Sequence, residues 1–139
     1  MKKLPLFLLL AICFQANATC FSQAAVRYDV DERLLRAIQF TENEPGNPTD
    51  ISYNKDGSWD IGLMKINSSW LPKLQKMHIT EKDLLDPCIS VNVGAWILAE
   101  NIVSYGRTWK AVGVYNSPTL VNQQKYIKKV MKNYGRAYP

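Results

Sequence analysis

Residues 31–48 read DERLLRAIQFTENEPGNP, and this stretch predicts a well-defined helix followed by a firm stop. Asp31 is a suitable N-cap, and Leu34, Leu35 and Ile38 recur behind it at the spacing of one helical face. The prolines and the glycine of residues 44–48 end the pattern, because neither residue type continues a helix. We therefore predict a helix over about residues 31–43.

Glu42 occupies an unusual position in this helix. It lies four residues after Ile38 and seven after Leu35, so it continues the apolar stripe, and it sits in the last turn, where the helix dipole disfavours an anion. Burial raises the pKa of a carboxyl, and a proton held near neutral pH is what a general acid needs. The alternative is a frayed helix end that lets Glu42 reach water, as we expect for Glu44.

The first 18 residues predict a secreted protein. Lys2 and Lys3 precede an apolar run from Leu6 to Phe14, which is too short to span a bilayer, and residues 16–18 (Ala-Asn-Ala) fit a cleavage signal. We predict a signal peptide over residues 1–18 and a single domain over residues 19–139, located in the periplasm without stable membrane insertion. Cleavage would remove two lysines and lower the formal charge from +5 to +3.

The numbers of cysteines and histidines limit the kinds of catalytic site that the chain can form. Cys13 would leave with the signal peptide, and Cys20 and Cys88 would remain, either as a disulfide in an oxidising compartment or as two buried thiols. His78 is the only histidine, which leaves too few ligands for a usual zinc hydrolase and constrains a Ser-His or Cys-His nucleophile. We expect chemistry based on carboxylates, without a metal or a cofactor.

The rest of the chain predicts a mostly helical domain with one small β element. A turn signal at residues 54–58 suggests a hairpin within residues 49–60, and residues 61–77 suggest an irregular helix. Further helices are predicted at 89–105, which should be the most buried, at 109–115, and after Ser117 with Pro118 in its first position. Leu120, Ile127, Met131 and Tyr134 should line the buried face of the last helix. Its lysines, Lys125, Lys128, Lys129 and Lys132, form either a solvated face or a contact with an anionic polymer or partner.

Asp60 is the second candidate carboxylate. An Asp that precedes a helix is an ordinary N-cap, so capping and catalysis are open alternatives on local grounds. Glu42 and Asp60 are separated by one helix end and one hairpin, which permits two carboxyls to flank one cleft. Glycoside cleavage uses such a pair.

Four ordered motifs resemble those of the soluble lytic transglycosylases, which have the goose-type lysozyme fold. They are AIQFTEN at residues 37–43, NP at 47–48, GLMKIN at 62–67 and AVGVYN at 111–116, and the resemblance covers nearly all of residues 20–134. The resemblance implies an α+β, mostly helical, lysozyme-like single domain with a small β-hairpin. The Cys20/Cys88 pair and the segment VGAWILA at 93–99 are similar to a specialised branch that accompanies type III and type IV secretion and pilus machines.

By this resemblance, Glu42 is the acid and base that cleaves the bond between N-acetylmuramic acid and N-acetylglucosamine. The residues expected to contact sugar are Ser52, Met64, Lys65, Asn67, Tyr115, Asn116 and, more weakly, Tyr126; core or turn roles are the alternative for several of them. Lys65 stands where the family usually has glutamine, so it could pair with a substrate carboxylate or lower the pKa of Glu42. Residues 54–70 also resemble the hairpin of hen-type lysozymes, which would make Asp60 a stabiliser of the oxocarbenium-like centre.

These features predict a muramidase that acts on peptidoglycan glycan strands and locally opens the cell wall for a secretion or pilus apparatus. The rival hypothesis is a non-catalytic peptidoglycan-binding or assembly factor on the same fold. Glu42 argues against it, because a binding module gains nothing from a carboxyl on an apolar stripe. A nucleic-acid partner is not expected, since no recognition motif is present.

Overall fold

A computed structural model describes residues 19–136, and the predicted signal peptide lies outside them. Over these residues the chain is mostly helical with one three-stranded antiparallel sheet, which confirms the predicted fold class. The helices are α1 (19–28), α2 (Glu32–Glu42), α3 (Leu71–Gln75), α4 (Pro87–Tyr105), α5 (Trp109–Asn116) and α6 (Leu120–Tyr134). The strands are β1 (Ile51–Tyr53), β2 (Trp59–Ile61) and β3 (Ile66–Asn67), and short 3₁₀ turns cover Ser68–Trp70 and Asp83–Leu85.

Helix α2 forms as its sequence predicts. The Asp31 side chain accepts hydrogen bonds from the backbone N–H groups of Arg33 and Leu34, and Leu35 and Ile38 are fully buried. The helix ends at Glu42, and the buried side chain of Asn43 donates a hydrogen bond of 2.8 Å to the carbonyl of Asn47. This bond fixes the turn that follows, and therefore fixes where the end of α2 points.

The predicted hairpin is present, but the predicted helix over residues 61–77 is wrong for most of its length. Strand β2 pairs with β1 on one side and with β3 on the other, and only α3 is α-helical in this segment. Gly62 and Lys65 have positive φ angles of 75° and 51°, which a right-handed helix cannot contain. At Gly62 a Cβ atom would lie 2.2 Å from the carbonyl oxygen of Leu84, so a tertiary contact demands glycine there.

Helix α4 forms the centre of the domain. The side chain of Asp86 caps it, Pro87 occupies its first turn, and Gly106 ends it with a φ of 73°. Eight of its residues are buried, which agrees with the prediction of a central helix, although it begins two residues earlier than predicted. Cys88 in its first turn is bonded to Cys20 in α1, so a disulfide joins these two helices.

Helix α6 differs from the prediction in its start and in its buried face. Thr119 is the N-cap, so Ser117 and Pro118 lie before the helix rather than at its beginning. The buried residues of α6 are Gln123, Tyr126, Val130 and Asn133, whereas Leu120 and Met131 are 66% and 42% exposed. A count of apolar residues misses this face, because two of its members are amides that find polar partners elsewhere in the chain.

Candidate active site

A cleft of about 710 Å³ lies between the small sheet and the helices. The end of α2 supplies Glu42, the sheet supplies Asp60 and Asn67, and the end of α5 supplies Tyr115 and Asn116. Polar groups dominate its lining, as suits a ligand that is rich in hydroxyl and amide groups. The cleft thus brings both predicted carboxylates together: Glu42 lies on its helical side and Asp60 on its sheet side.

Glu42 has the most perturbed carboxyl in the cleft. Burial at the end of α2 raises its pKa from an ordinary value of 4.5 to about 7. This value is the net of several effects: burial makes the largest contribution and the negative charge of Asp60 also raises the pKa, whereas contacts with the Tyr126 hydroxyl and the Asn116 side chain, and the charge of Lys65, lower it. Because burial outweighs these opposing contacts, Glu42 holds a proton near neutral pH. The frayed-end alternative is wrong, since α2 remains helical through Glu42.

The hydroxyl of Tyr126 faces Glu42 from α6. It is buried and makes no well-formed hydrogen bond within the described part of the chain, although it lies close enough to Glu42 to lower the pKa of that carboxyl. Burial raises the pKa of the Tyr126 hydroxyl itself well above the ordinary value, and the neighbouring Glu42 charge adds to the effect. The Tyr126 hydroxyl therefore stays protonated. Because only 5% of the residue is exposed, Tyr126 approaches Glu42 from the core rather than from the open side of the cleft.

Asp60 lies in the middle strand, β2, opposite Ser52 of β1 and Asn67 of β3. Its carboxylate accepts hydrogen bonds from two amide side chains, Asn67 at 2.8 Å and Asn54 at 3.0 Å. No helix follows it, so the N-cap alternative is wrong. Two donated hydrogen bonds and a strand backbone fix where this carboxylate points into the cleft.

Lys65 lines the cleft but is engaged within the protein. Its ammonium group forms an ion pair with Asp50 and donates a hydrogen bond of 3.1 Å to the hydroxyl of Ser52, and its side chain is only 10% exposed. Its positive charge lowers the pKa of Glu42, as one of the two sequence hypotheses anticipated, but burial of Glu42 has the larger effect. These two contacts use two of the three N–H donors of the ammonium group, and the charge of Asp50 offsets its attraction for a substrate carboxylate.

The other predicted contacts divide between cleft and core. Asn67, Tyr115 and Asn116 line the cleft, and the Tyr115 hydroxyl donates a hydrogen bond of 3.1 Å to the carbonyl of Met64. Met64 itself is fully buried, so its backbone rather than its side chain supports the site. Ser52 is exposed on β1 and reaches the site through Lys65.

Comparison with known proteins decides the family. Residues 19–138 match the family described as the transglycosylase SLT domain. The chain belongs to this family. The match covers the whole described structure, including both walls of the cleft, and it confirms that this SLT domain is a lytic transglycosylase enzyme with a lysozyme-like fold.

Several known proteins are similar to this chain over most of its length. The chain is 45% identical over 126 residues to invasion protein IagB of Salmonella typhimurium, covering 87% of this chain and 78% of that protein. It is 36% identical over 137 residues to protein IpgF of Shigella flexneri, covering 95% and 89%. A peptidoglycan-binding-like protein of Escherichia coli is 34% identical over 133 residues, covering 87% of this chain and 79% of the relative.

Sequence reasoning missed several residues that line the cleft of the SLT domain. Asn54 supports Asp60, Trp70 and Ile97 provide apolar surface, and Asn122 extends the lining onto α6. Asn54 had a local signal, because it opens the turn that precedes Asp60. The other three had none, since they reach the cleft only through the packing of β3, α4 and α6.

Two further features concern metal ligands and helix hydrophobicity. Within residues 19–136, no three His, Cys, Asp or Glu side chains are grouped as metal ligands would be. In the same residues, no helix is long and apolar enough to cross a membrane.

Proposed function

We propose that this SLT domain cleaves the β-1,4 bond between N-acetylmuramic acid and N-acetylglucosamine in peptidoglycan, with Glu42 as general acid and then base. The observation that carries the proposal is the Glu42 carboxyl, whose pKa is raised to about 7 in a polar cleft that it shares with Asp60. A group with this pKa is partly protonated at neutral pH and can both give and take a proton.

In the first step, the protonated Glu42 donates its proton to the glycosidic oxygen. The bond from that oxygen to C1 of the muramoyl residue breaks, and the N-acetylglucosamine side leaves with a free 4-hydroxyl group. In the second step, the Glu42 carboxylate takes the proton of the muramoyl 6-hydroxyl, whose oxygen bonds to C1. This closes a 1,6-anhydro ring and restores the protonated acid without a nucleophilic side chain.

Asp60 is proposed to stabilise the positive charge that develops at C1 between these steps. A carboxylate is suited to this role when it is held rigidly near the cleaved bond, and the amide donors of Asn54 and Asn67 hold Asp60. Retaining glycosidases place two carboxyls around the bond in this way. The same arrangement would allow water in place of the 6-hydroxyl, so a hydrolysed product is the second candidate outcome.

We further propose that the enzyme acts in the periplasm and opens the wall for a secretion or pilus machine. The sequence of residues 1–18 supports export, and the Cys20–Cys88 disulfide supports an oxidising compartment. One relative carries the name invasion protein, and the resemblance to the secretion-associated branch points in the same direction. Another relative carries the name peptidoglycan-binding-like protein, which supports peptidoglycan as the ligand.

Digestion of purified peptidoglycan followed by mass spectrometry tests the reaction. We expect muropeptides with 1,6-anhydro ends, released by the wild type and not by Glu42→Gln. Glu44→Gln is the matched control, because it changes an exposed glutamate two residues away and should leave cleavage intact. Hydrolysed ends would identify a lysozyme-type outcome at the same site, and digestion by Glu42→Gln at the wild-type rate would refute the proposal.

A further inference from the structure

Charge is strongly segregated along this chain. All 12 aspartates and glutamates lie at or before Glu100, whereas residues 101–139 contain seven of the 17 lysines and arginines and no acid. Four of these seven cations are lysines of α6, the helix that also carries Tyr126 against Glu42. The modest overall charge therefore conceals a basic region that adjoins the cleft.

The lysines of α6 form an ordered stripe. Asn122, Lys125, Lys129 and Lys132 follow one another at spacings of three, four and three residues, which places them on one face of a helix. The three lysines are exposed, and each buried residue of α6 directly follows one position of the stripe, so the stripe flanks the buried face at about 100° around the helix. At a rise of about 1.5 Å per residue the stripe extends roughly 15 Å along the helix. Lys128 is exposed beside it.

These lysines are not neutralised by the protein. None of Lys125, Lys128, Lys129 and Lys132 forms an ion pair with any group in residues 19–136. Helix α2 packs against α6, and the acids at its N-terminus are engaged: Glu32 pairs with Arg36, and Asp31 accepts a hydrogen bond of 2.7 Å from the Tyr134 hydroxyl. The stripe therefore presents positive charge to whatever lies alongside it.

One end of the stripe is part of the cleft. Asn122 lines the cleft together with Ser117 and Asn116, and Lys125 is the next residue of the stripe along α6. A polymer that occupies the cleft and leaves it past Asn122 would run beside successive lysines. A partner that contacts only the outer surface would not need this continuity with the cleft, so the geometry favours the polymer over an acidic protein.

We propose that this stripe is a second binding surface for the substrate polymer and engages the carboxylates of peptide stems carried by strands that extend beyond the cleaved bond. This inference rests on the proposed function, because peptidoglycan is the ligand in both. The stripe would hold the enzyme on intact wall material, while Glu42 and Asp60 act on the sugar backbone. Its contribution is electrostatic, so it should weaken as added salt screens the charges over shorter distances.

Binding to intact sacculi tests the stripe apart from catalysis. The measurement is sedimentation of sacculi with chains that all carry Glu42→Gln, so that the polymer is not digested. Lys125→Gln combined with Lys129→Gln should weaken binding about fivefold at low salt, since each exposed ion pair contributes modestly. The Lys→Arg double variant should bind like the parent, and the difference between variants should vanish at high salt.

Two controls fix the interpretation. Lys76→Gln combined with Lys82→Gln removes the same charge from exposed positions away from α6 and should leave binding unchanged. Sacculi whose stem carboxylates have been converted to neutral amides with carbodiimide and ethanolamine should bind the parent and the α6 variant equally weakly. Equal loss in the Lys76/Lys82 variant would reduce the effect to net charge, and a loss that persists on amidated sacculi would assign α6 to sugar contact; either result overturns the proposal.

Unchanged binding of the α6 variant to intact sacculi would also overturn the proposal and would favour an acidic protein as the occupant of this face. The proposed function fails by a different measurement, namely the absence of cleavage products from the wild-type chain with Glu42 in place. The two failures are therefore distinguishable.

Discussion

Glu42 and Asp60 are both carboxylates of one cleft, yet the two walls that carry them treat charge differently. On the helical wall, the Glu42 carboxyl is partly buried at the end of α2, and the loss of contact with water raises its pKa to about 7. On the sheet wall, Asp60 is held by the amide groups of Asn54 and Asn67 within the β2 strand register. The proposed mechanism needs one environment for proton transfer and another for stabilising a positive charge, and the boundary between helix and sheet supplies two such environments.

Of the substitutions considered, Glu42→Gln should reduce turnover of peptidoglycan the most. Proton transfer by a positioned side chain typically contributes about 10²- to 10⁴-fold to rate, and we expect turnover of peptidoglycan to fall by a factor in that range. Release of soluble muropeptides measures the effect. Glu44→Gln is the control, and comparable loss in both variants would show that the defect is not specific to the buried carboxyl.

The same substitution should also change how the free energy of unfolding depends on pH. The pKa of Glu42 is higher in the folded chain than in the unfolded one, so its stabilising contribution is complete below pH 4.5 and is lost as pH rises through about 7. Glu42→Gln abolishes this dependence, so its stability relative to wild type should increase between these pH values, by up to about 3 kcal/mol. Urea denaturation at a series of pH values measures it, and parallel curves for both proteins would contradict the raised pKa.

Asp60→Asn, on the sheet wall of the cleft, should reduce turnover by a smaller factor. The substitution keeps the size of the side chain and removes the charge proposed to stabilise the transition state, so we expect roughly a hundredfold loss of turnover with an unchanged melting temperature. Near-normal turnover would leave Asp60 with a purely structural role in the sheet. Removing its charge should also lower the pKa of Glu42, since the Asp60 charge raises it.

Asn67→Ala tests whether the sheet wall works by holding Asp60. Loss of a hydrogen bond to a charged group should reduce turnover about tenfold. Asn67 also caps the turn at Ser68–Trp70 through its side-chain oxygen, so Asn67→Asp is the control that keeps this acceptor and removes the donor. If Asn67 acts through Asp60, its substitution should cost little in an Asp60→Asn background; additive losses would indicate an independent role.

Lys65→Gln should have the smallest effect. The Lys65 charge lowers the pKa of Glu42, so its removal should raise that pKa and move the alkaline limb of the pH–rate profile to higher pH. The maximal rate should remain within about fivefold of wild type, because the lost interaction is modest. A profile that moves to lower pH, or does not move, would contradict the effect of the Lys65 charge on the pKa of Glu42.

The sequence predicts the helical wall better than the sheet wall. Leu35, Ile38 and Glu42 share one face of a helix whatever surrounds it, so the position of the acid follows from helical periodicity and a stop at residues 44–48. Asp60 could not be assigned in the same way, because N-cap and strand positions look alike locally. Pairing with Ser52 and Asn67 decides between them, and that pairing depends on the return of the chain into β3.

Two predictions from the sequence are wrong for the same reason, namely the helix over residues 61–77 and the buried face of α6. Both features depend on contacts between parts of the chain that local periodicity does not reveal. The segment after Ile61 resembles a helix in its spacing of apolar residues, but a close approach between Gly62 and the carbonyl of Leu84 forces a left-handed backbone. The buried face of α6 contains amides that apolar periodicity discounts. Gln123 donates to the carbonyl of Ser117, and Asn133 donates to the Thr41 hydroxyl, 92 residues away.

The mostly helical class, the buried helix α4 and the position of Glu42 can be predicted from the sequence alone, because these follow from patterns within one or a few helical turns. Only the tertiary structure decided the strand position of Asp60, the engagement of Lys65 by Asp50 and the buried amides of α6. The physical reason is that periodicity is a local property, whereas a polar group is buried or left in water according to partners that lie far away in the chain.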